Sequence, residues 1–147
     1  MDLSSIKKNK IYKFAEYTID EKLIFYKRKL VYAFVNLKPI VPGHVLLSPT
    51  RVEKSYANLT EAEAIEMWIS AKVISENLKR YYHTNSVQIS IQDGKEAGQT
   101  VEHCHIHILP IPEGSSIKEV DDEKRKARTF EEMSQEAEIY KQNFVYN

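Results

Sequence analysis

Cysteine is nearly absent from the chain: Cys104 is the only one in 147 residues. A lone thiol forms no disulfide within the chain and builds no thiolate-rich zinc site, so a reducing, intracellular compartment is expected. The cytoplasm fits, with the nucleus open. Excess charge of either sign is absent too, with 21 Lys and Arg against 21 Asp and Glu. No overall field steers the chain to nucleic acid or to an anionic membrane, and any phosphate recognition must be local. Long apolar runs are missing. The longest, 30–35, is far too short to span a bilayer, and Met1-Asp2-Leu3-Ser4-Ser5-Ile6-Lys7-Lys8 lacks the apolar segment of a signal peptide. What remains, 42% apolar and 29% charged, has the proportions of an ordinary globular protein. The length, residues 1–147, suits a single domain with its own core.

The residues present alternate between short elements. Residues 1–10 are polar and lysine-rich, and a loose arm is expected there. Segments 11–18, 23–28 and 31–37 are rich in Tyr, Phe, Ile and Val and are separated by turn-prone or charged residues, the pattern of strands. Pro42-Gly43 suits the central positions of a type II turn, and 44–48 follows as a strand. Thr60-Glu61-Ala62-Glu63 is a capping box that opens a helix to about Tyr82. Its main apolar row is Ala64, Met67, Trp68, Ala71, Ile74, Leu78, Tyr81 and Tyr82, at helical spacing. Ile65, Ile69 and Val73 form a second row on roughly the opposite side. A helix apolar on two sides is buried on two sides, and in so small a domain the expected second cover is another copy of the chain, a homodimer.

Segment 86–92 alternates as a strand, Asp93-Gly94 is a turn signal, and 103–109 alternates strictly up to Pro110-Ile111-Pro112. The charged stretch 113–128 reads as a mobile loop. Thr129-Phe130-Glu131-Glu132 opens a last helix, 129–145, with Phe130, Met133, Ala137, Tyr140 and Phe144 at helical spacing. Hairpin-linked strands with two inserted helices imply an α+β fold around an antiparallel sheet.

The chemistry is concentrated in histidine. Three of the five histidines stand at His103, His105 and His107, and residues two apart on a strand point the same way. Cys104, Ile106 and Ile108 then share the opposite, apolar face. Imidazoles titrate near neutrality, so a row of them suits proton transfer, nucleophilic attack or zinc ligation. The preceding residues favour phosphate chemistry over zinc. Gly98 permits close backbone approach, and Gln99 and Thr100 add an amide and a hydroxyl beside main-chain N–H groups.

The run Gly98-Gln99-Thr100-Val101-Glu102-His103-Cys104-His105-Ile106-His107-Ile108-Leu109-Pro110 resembles the signature of the histidine triad superfamily. Asn36-Leu37-Lys38-Pro39-Ile40-Val41-Pro42-Gly43-His44-Val45-Leu46 and Gln92-Asp93-Gly94 also match, and together they resemble the fragile histidine triad branch, the dinucleoside polyphosphate hydrolases. The likeness spans roughly residues 12–112 and resumes over 128–133. It implies a five-stranded antiparallel sheet with two helices that dimerises into a larger sheet. It also implies that His105 attacks the α-phosphorus of diadenosine triphosphate and carries the nucleotide transiently. His107 would bond to phosphate oxygens or the departing group, while His44 and His103 would fix the nucleophile's orientation and tautomer. Gln99 and Thr100, with backbone donors from Gly98 and Val101, would hold the α-phosphate. Asn36 would bind ribose hydroxyls, Gln92 would contact phosphate or ribose, and Phe14, Tyr17, Ile19 and Leu46 could enclose a base. No protein metal site is expected, so Mg2+ or Mn2+ would arrive with the substrate phosphates. With unperturbed imidazoles, activity would fall below roughly pH 6. The same residues leave two rival readings open: a Hint-type nucleoside phosphoramidase, and a nucleotide-binding signalling module. Thr100 stands where the phosphoramidase branch usually has serine, and that branch's C-terminal segment with proline and tryptophan is missing.

Overall fold

The computed structural model describes residues 11–117 and 125–146. The expected arm, 1–10, and the middle of the expected mobile loop, 118–124, lie outside the described residues. The segment 11–18, which reads as one strand, is folded into a hairpin of β1 (Tyr12–Phe14) and β2 (Tyr17–Ile19). Ala15 makes the turn at φ +52°, a left-handed conformation that its type does not advertise. The strands β3 (Ile24–Lys27), β4 (Val31–Val35), β5 (Val45–Pro49), β6 (Ser86–Ile91) and β7 (Ile106–Ile111) form an antiparallel sheet in the order β3-β4-β5-β7-β6. Helix α1 (Glu61–Tyr81) joins β5 to β6, and α2 (Phe130–Asn143) follows β7. This is the expected α+β architecture.

The strand period of two decides what each face holds. Val31, Ala33, Val35, Val45, Leu47, Ile106 and Ile108 point to the helices, where Met67, Ala71, Ile74 and Leu78 of α1 and Met133, Ala137 and Tyr140 of α2 complete the core. Tyr32, Phe34 and Leu46 point the other way and pack under Tyr12 and Phe14 of the hairpin. His107 pairs directly with Leu46, so it lies on this second face. The sheet thus uses one face for stability and the other for a site.

Both expected helix starts are present. Thr60 accepts from the Glu63 N–H at 3.1 Å and Glu63 accepts from the Thr60 N–H at 2.9 Å, completing the capping box. The Thr129 hydroxyl accepts from the Glu132 N–H at 3.1 Å. The buried stripe of α1 is narrower than the expected row. Trp68 is 42% exposed and donates its indole N–H to the Tyr56 hydroxyl at 3.1 Å, because it lies a 100° step round the helix from buried Met67. Tyr81, and Phe130 at the start of α2, are exposed as well. Of the second row, Val73 packs against the main core, whereas Ile65 and Ile69 are 53% and 49% exposed. No helix among the described residues is long and apolar enough to cross a membrane.

The largest departure concerns the histidine strand, which starts at Ile106 and not at His103. The Cys104 N–H bonds to the Glu53 carbonyl at 2.7 Å and the His103 N–H to the Val101 carbonyl at 2.8 Å, so neither joins the sheet ladder. The strand also runs on through Pro110 to Ile111. Pro110 pairs with Val87 where β5 no longer pairs with β7, a one-sided position that tolerates a missing N–H. Part of the expected mobile loop is fastened: the Arg128 N–H donates to the Leu37 carbonyl at 3.0 Å, and the Arg128 guanidinium pairs with Glu136 at 2.6 Å.

Candidate active site

A cavity of about 720 Å³ opens between the second sheet face and the β1–β2 hairpin. His44, His105, His107, Asn36, Gln92, Gly98, Thr100 and Val101 all line it. So do Phe14, Tyr17, Ile19 and Leu46, joined by Phe34, which gives one end an apolar wall. His103 and Gln99 are the two expected site residues that do not line it.

His105 is 7% exposed, and its Nδ1 lies 2.6 Å from the His103 carbonyl oxygen. A carbonyl only accepts, so Nδ1 carries the proton and Nε2 keeps its lone pair. A neutral imidazole in this tautomer is a nucleophile at Nε2. Burial holds its pKa below the usual histidine value, which keeps the lone pair available in weak acid.

A second chain of bonds fixes His107. The Ile40 backbone N–H donates to His44 Nδ1 at 3.1 Å, so the His44 proton sits on Nε2. That nitrogen lies 3.0 Å from His107 Nδ1, to which it donates. The His107 proton is therefore on Nε2, which is buried and has no hydrogen-bond partner among the described residues. The rings of His105 and His107 are 4.7 Å apart, so this donor stands beside the nucleophile. A buried unmet donor is costly and calls for an acceptor that arrives with a ligand. Burial first, then the neighbouring His107, pushes the His44 pKa down to about 3, and burial followed by His105 lowers that of His107 to about 4. Both rings are neutral donors at physiological pH.

The Pro42-Gly43 turn delivers His44 to this chain. The His44 N–H returns to the Val41 carbonyl at 3.1 Å, with Gly43 at φ +89°, the geometry of a type II turn. A Cβ on Gly43 would meet a Tyr82 ring carbon at 2.5 Å and Pro110 at 2.7 Å, so only glycine fits. Gly98 plays the corresponding part for Gln92. It sits at φ +97°, and an added Cβ would fall 2.7 Å from Gln92 Nε2.

Three expected roles change. His103 is fully buried, accepts from the Ala15 N–H at 2.9 Å through Nδ1 and donates from Nε2 to the Pro49 carbonyl at 3.0 Å. Its ring anchors the hairpin to the end of β5, and its main-chain carbonyl, not its imidazole, sets the tautomer of His105. His44 orients His107 and not the nucleophile. Gln99 is taken up by backbone groups of its own loop and of the segment after β5: Oε1 accepts from the Gly94 N–H at 2.8 Å, and Nε2 donates to the Val101 and Lys54 carbonyls, both at 3.1 Å. An amide with these partners has no group left for a phosphate.

Residue type alone did not single out Arg125, Lys38 or the Ile40 N–H. Lys38, Ile40 and Arg125 line the cavity, and the Arg125 charge contributes to the lowered His44 pKa. Among the described residues, no group of three or more His, Cys, Asp or Glu side chains is arranged to hold a metal ion.

A neutral histidine with an open Nε2 lone pair faces the cavity beside a second histidine with an unmet proton, an arrangement chemically equipped for attack on a small electrophile. A family model for the HIT domain matches residues 17–114, and the chain belongs to that family. Over 139 residues it is 37% identical to the bis(5'-adenosyl)-triphosphatase of Dictyostelium discoideum, covering 91% of this chain and 93% of that protein. Over 138 residues it is 42% identical to the nitrilase and fragile histidine triad fusion protein NitFhit of Caenorhabditis elegans. That match covers 88% of this chain, which spans only 31% of the fusion protein's length. Among solved structures, the Plasmodium falciparum diadenosine triphosphate hydrolase superposes with a TM-score of 0.81 at 36% identity, covering 93% of this chain and 86% of that one.

Proposed function

We propose that the chain hydrolyses dinucleoside polyphosphates, with diadenosine triphosphate as substrate and AMP and ADP as products. The observation that carries this reading is the pair of opposed tautomers, a lone pair on His105 Nε2 beside a proton on His107 Nε2. The relatives named bis(5'-adenosyl)-triphosphatase support the choice of substrate.

His105 Nε2 attacks the α-phosphorus and a P–N bond forms. The bond from that phosphorus to the bridging oxygen breaks, and the electron pair leaves with ADP. His107 Nε2–H donates to the phosphate oxygens as negative charge shifts towards the leaving group. The nucleotidyl imidazole is cationic, and its Nδ1–H remains bonded to the His103 carbonyl, which favours that charge. Water then attacks phosphorus, the P–N bond breaks and AMP departs. Asn36, at the end of β4, faces the ribose, and the Phe14, Phe34 and Leu46 wall takes the base. Gln92, Thr100 and backbone groups of Gly98 and Val101 face the α-phosphate. Mg2+ or Mn2+ would enter on the phosphates of the substrate.

In water enriched in oxygen-18, the label should appear in AMP and not in ADP. Adenosine 5′-phosphoramidate is assayed beside the dinucleotide. If the phosphoramidate wins by about a hundredfold or more in kcat/KM, roughly 2.7 kcal/mol of discrimination, the chain is a phosphoramidase instead.

The homodimer belongs to the same reading. Its support is the exposed row of Ile65, Trp68 and Ile69 on α1, together with the edge of β6 beside it, which no strand among the described residues pairs. Light scattering should then report about 34 kDa, twice the 17.1 kDa chain. A cytoplasmic location completes the proposal.

A further inference from the structure

Beside the catalytic cavity lies a second groove of about 460 Å³, lined by Lys54, Lys95, Gly98, Gln99, Thr100 and Glu102. The two spaces share Gly98 and Thr100, so the groove continues the cavity past the α-phosphate position. Its walls come from two separate segments, one after β5 and one after β6, and Gln99 rivets them together. The Gln99 amide holds the Gly94 N–H with one end and the Lys54 carbonyl with the other. The Tyr56 N–H adds a second tie to the Asp93 carboxylate at 3.1 Å. The outcome is two lysines, from strand-distant parts of the chain, held along one channel.

The direction of the substrate follows from the sheet order. Asn36 follows β4, His105 and His107 lie on or just before β7, and Gln92 follows the edge strand β6. A nucleotide with its ribose at Asn36 and its α-phosphorus at His105 therefore points its remaining phosphates towards β6 and the 93–100 loop. An in-line displacement sends the leaving group away from the buried nucleophile, out over Thr100. We infer that the Lys54–Lys95 groove binds the distal phosphates of the leaving nucleotide, a subsite that favours polyphosphate leaving groups over small neutral ones. This inference rests on the proposed dinucleotide reading. Glu102 sits in the same groove and pairs with Lys54 at 3.2 Å, with the two side chains 72% and 56% exposed. An exposed pair of this kind is weak, so a phosphate carrying more charge displaces the carboxylate.

The test is kcat/KM of the full chain and of the double variant Lys54→Ala/Lys95→Ala on three substrates. These are diadenosine tetraphosphate, diadenosine triphosphate and adenosine 5′-phosphoramidate, whose leaving group has no phosphate. The double variant should lose about tenfold on the tetraphosphate, somewhat less on the triphosphate, and nothing on the phosphoramidate. Lys54→Arg/Lys95→Arg should restore most of the loss, and added salt should shrink the difference. Equal rates for variant and wild type on all three substrates would overturn the subsite while leaving the dinucleotide reading intact. Equal losses on all three would also overturn it, since the lysines would then support the fold and not the leaving group. A wild-type protein that turns over only the phosphoramidate would overturn both readings together.

Discussion

His103 and His107 flank His105 and come from the same short motif, yet the protein uses them in opposite ways. Both nitrogens of His103 are engaged with backbone, at Ala15 and Pro49, and the ring is sealed from the cavity. The Ile40–His44 chain occupies His107 Nδ1 and so holds the His107 proton on Nε2, where it is buried at the cavity wall without a partner among the described residues. A histidine whose hydrogen bonds are all made within the protein is architecture, and one with an unmet buried donor is chemistry. His105 combines the two conditions, with Nδ1 held and Nε2 open.

The largest effect should come from His105. His105→Asn removes the nucleophile while leaving the cavity wall, so turnover should fall by at least about 10⁴-fold, or roughly 5.5 kcal/mol of barrier. Equilibrium binding of the dinucleotide should change by less than about tenfold. A variant that retains a tenth of the activity would remove His105 from its role.

His107→Ala comes next. It deletes a preorganised donor, and losses for such donors run to about 10²–10³ in kcat. KM should move little, because the charge that this donor meets develops during the reaction. A loss that appears in KM alone would make His107 a ground-state contact, closer in kind to His103 than to His105.

The division between these histidines was only half legible in the sequence. Strand periodicity placed His107 on one sheet face and Ile106 and Ile108 on the other, since period and burial are local properties. The Thr60 capping box and the Pro42-Gly43 turn were legible for the same reason: each motif satisfies its own backbone within four residues. What failed depended on partners distant in sequence. His103 leaves the strand because Cys104 bonds to Glu53, about fifty residues away, and its ring is engaged by Ala15 and Pro49, which are as distant or more so. The tautomers of His105 and His44 rest on nearby groups, the His103 carbonyl and the Ile40 amide, but these belong to the main chain. Backbone groups carry no residue signature. Gln99 looked like a phosphate ligand by type, but the Lys54 carbonyl that engages it comes from another loop. Trp68 and Phe130 fall in the apolar rows by helical spacing, though each lies just beyond the stripe that its helix buries.

The next test in size is pH. Burial lowers the pKa of all four cavity-side and anchoring histidines, to about 3 for His44 and about 4 for His107, and below the usual value for His103 and His105. An unshifted imidazole with a pKa near 6.5 would cost about tenfold in activity at pH 5.5. The acid limb of kcat/KM should lie below that, so the loss at pH 5.5 should be clearly less than tenfold, in place of the decline below pH 6 that unperturbed histidines imply. Stability moves in the same direction. The folded pKa values lie below the unfolded 6.5, so the unfolded chain binds more protons between those limits. Stability is full above about pH 6.5 and is shed as the pH falls towards 4. A kcat/KM limb centred at 6.5 would mean that the nucleophile is solvated, and the contrast with His103 would lose its physical basis.

The smallest effect on chemistry should come from His103→Ala, and it separates the two kinds of histidine most directly. Removing this ring strips the part-buried Ala15 N–H and the buried Pro49 carbonyl of their partners. That should cost about 3 kcal/mol and lower Tm by roughly 10 °C for a chain of this size. The backbone carbonyl that fixes the His105 tautomer survives the substitution, so kcat measured well below Tm should stay within about tenfold of wild type. The hairpin it anchors carries Phe14, whose ring lies 5.0 Å from that of His105, and Tyr17 and Ile19 of the cavity wall. Loosening that hairpin should weaken the grip on the base and show itself in KM. His103→Asn, which can still donate to Pro49, should recover part of the stability and little of the KM. If His103→Ala instead loses kcat by the 10²-fold or more expected of His107→Ala while remaining folded, its ring reaches the reaction, and the distinction between engaged and unspent imidazoles fails.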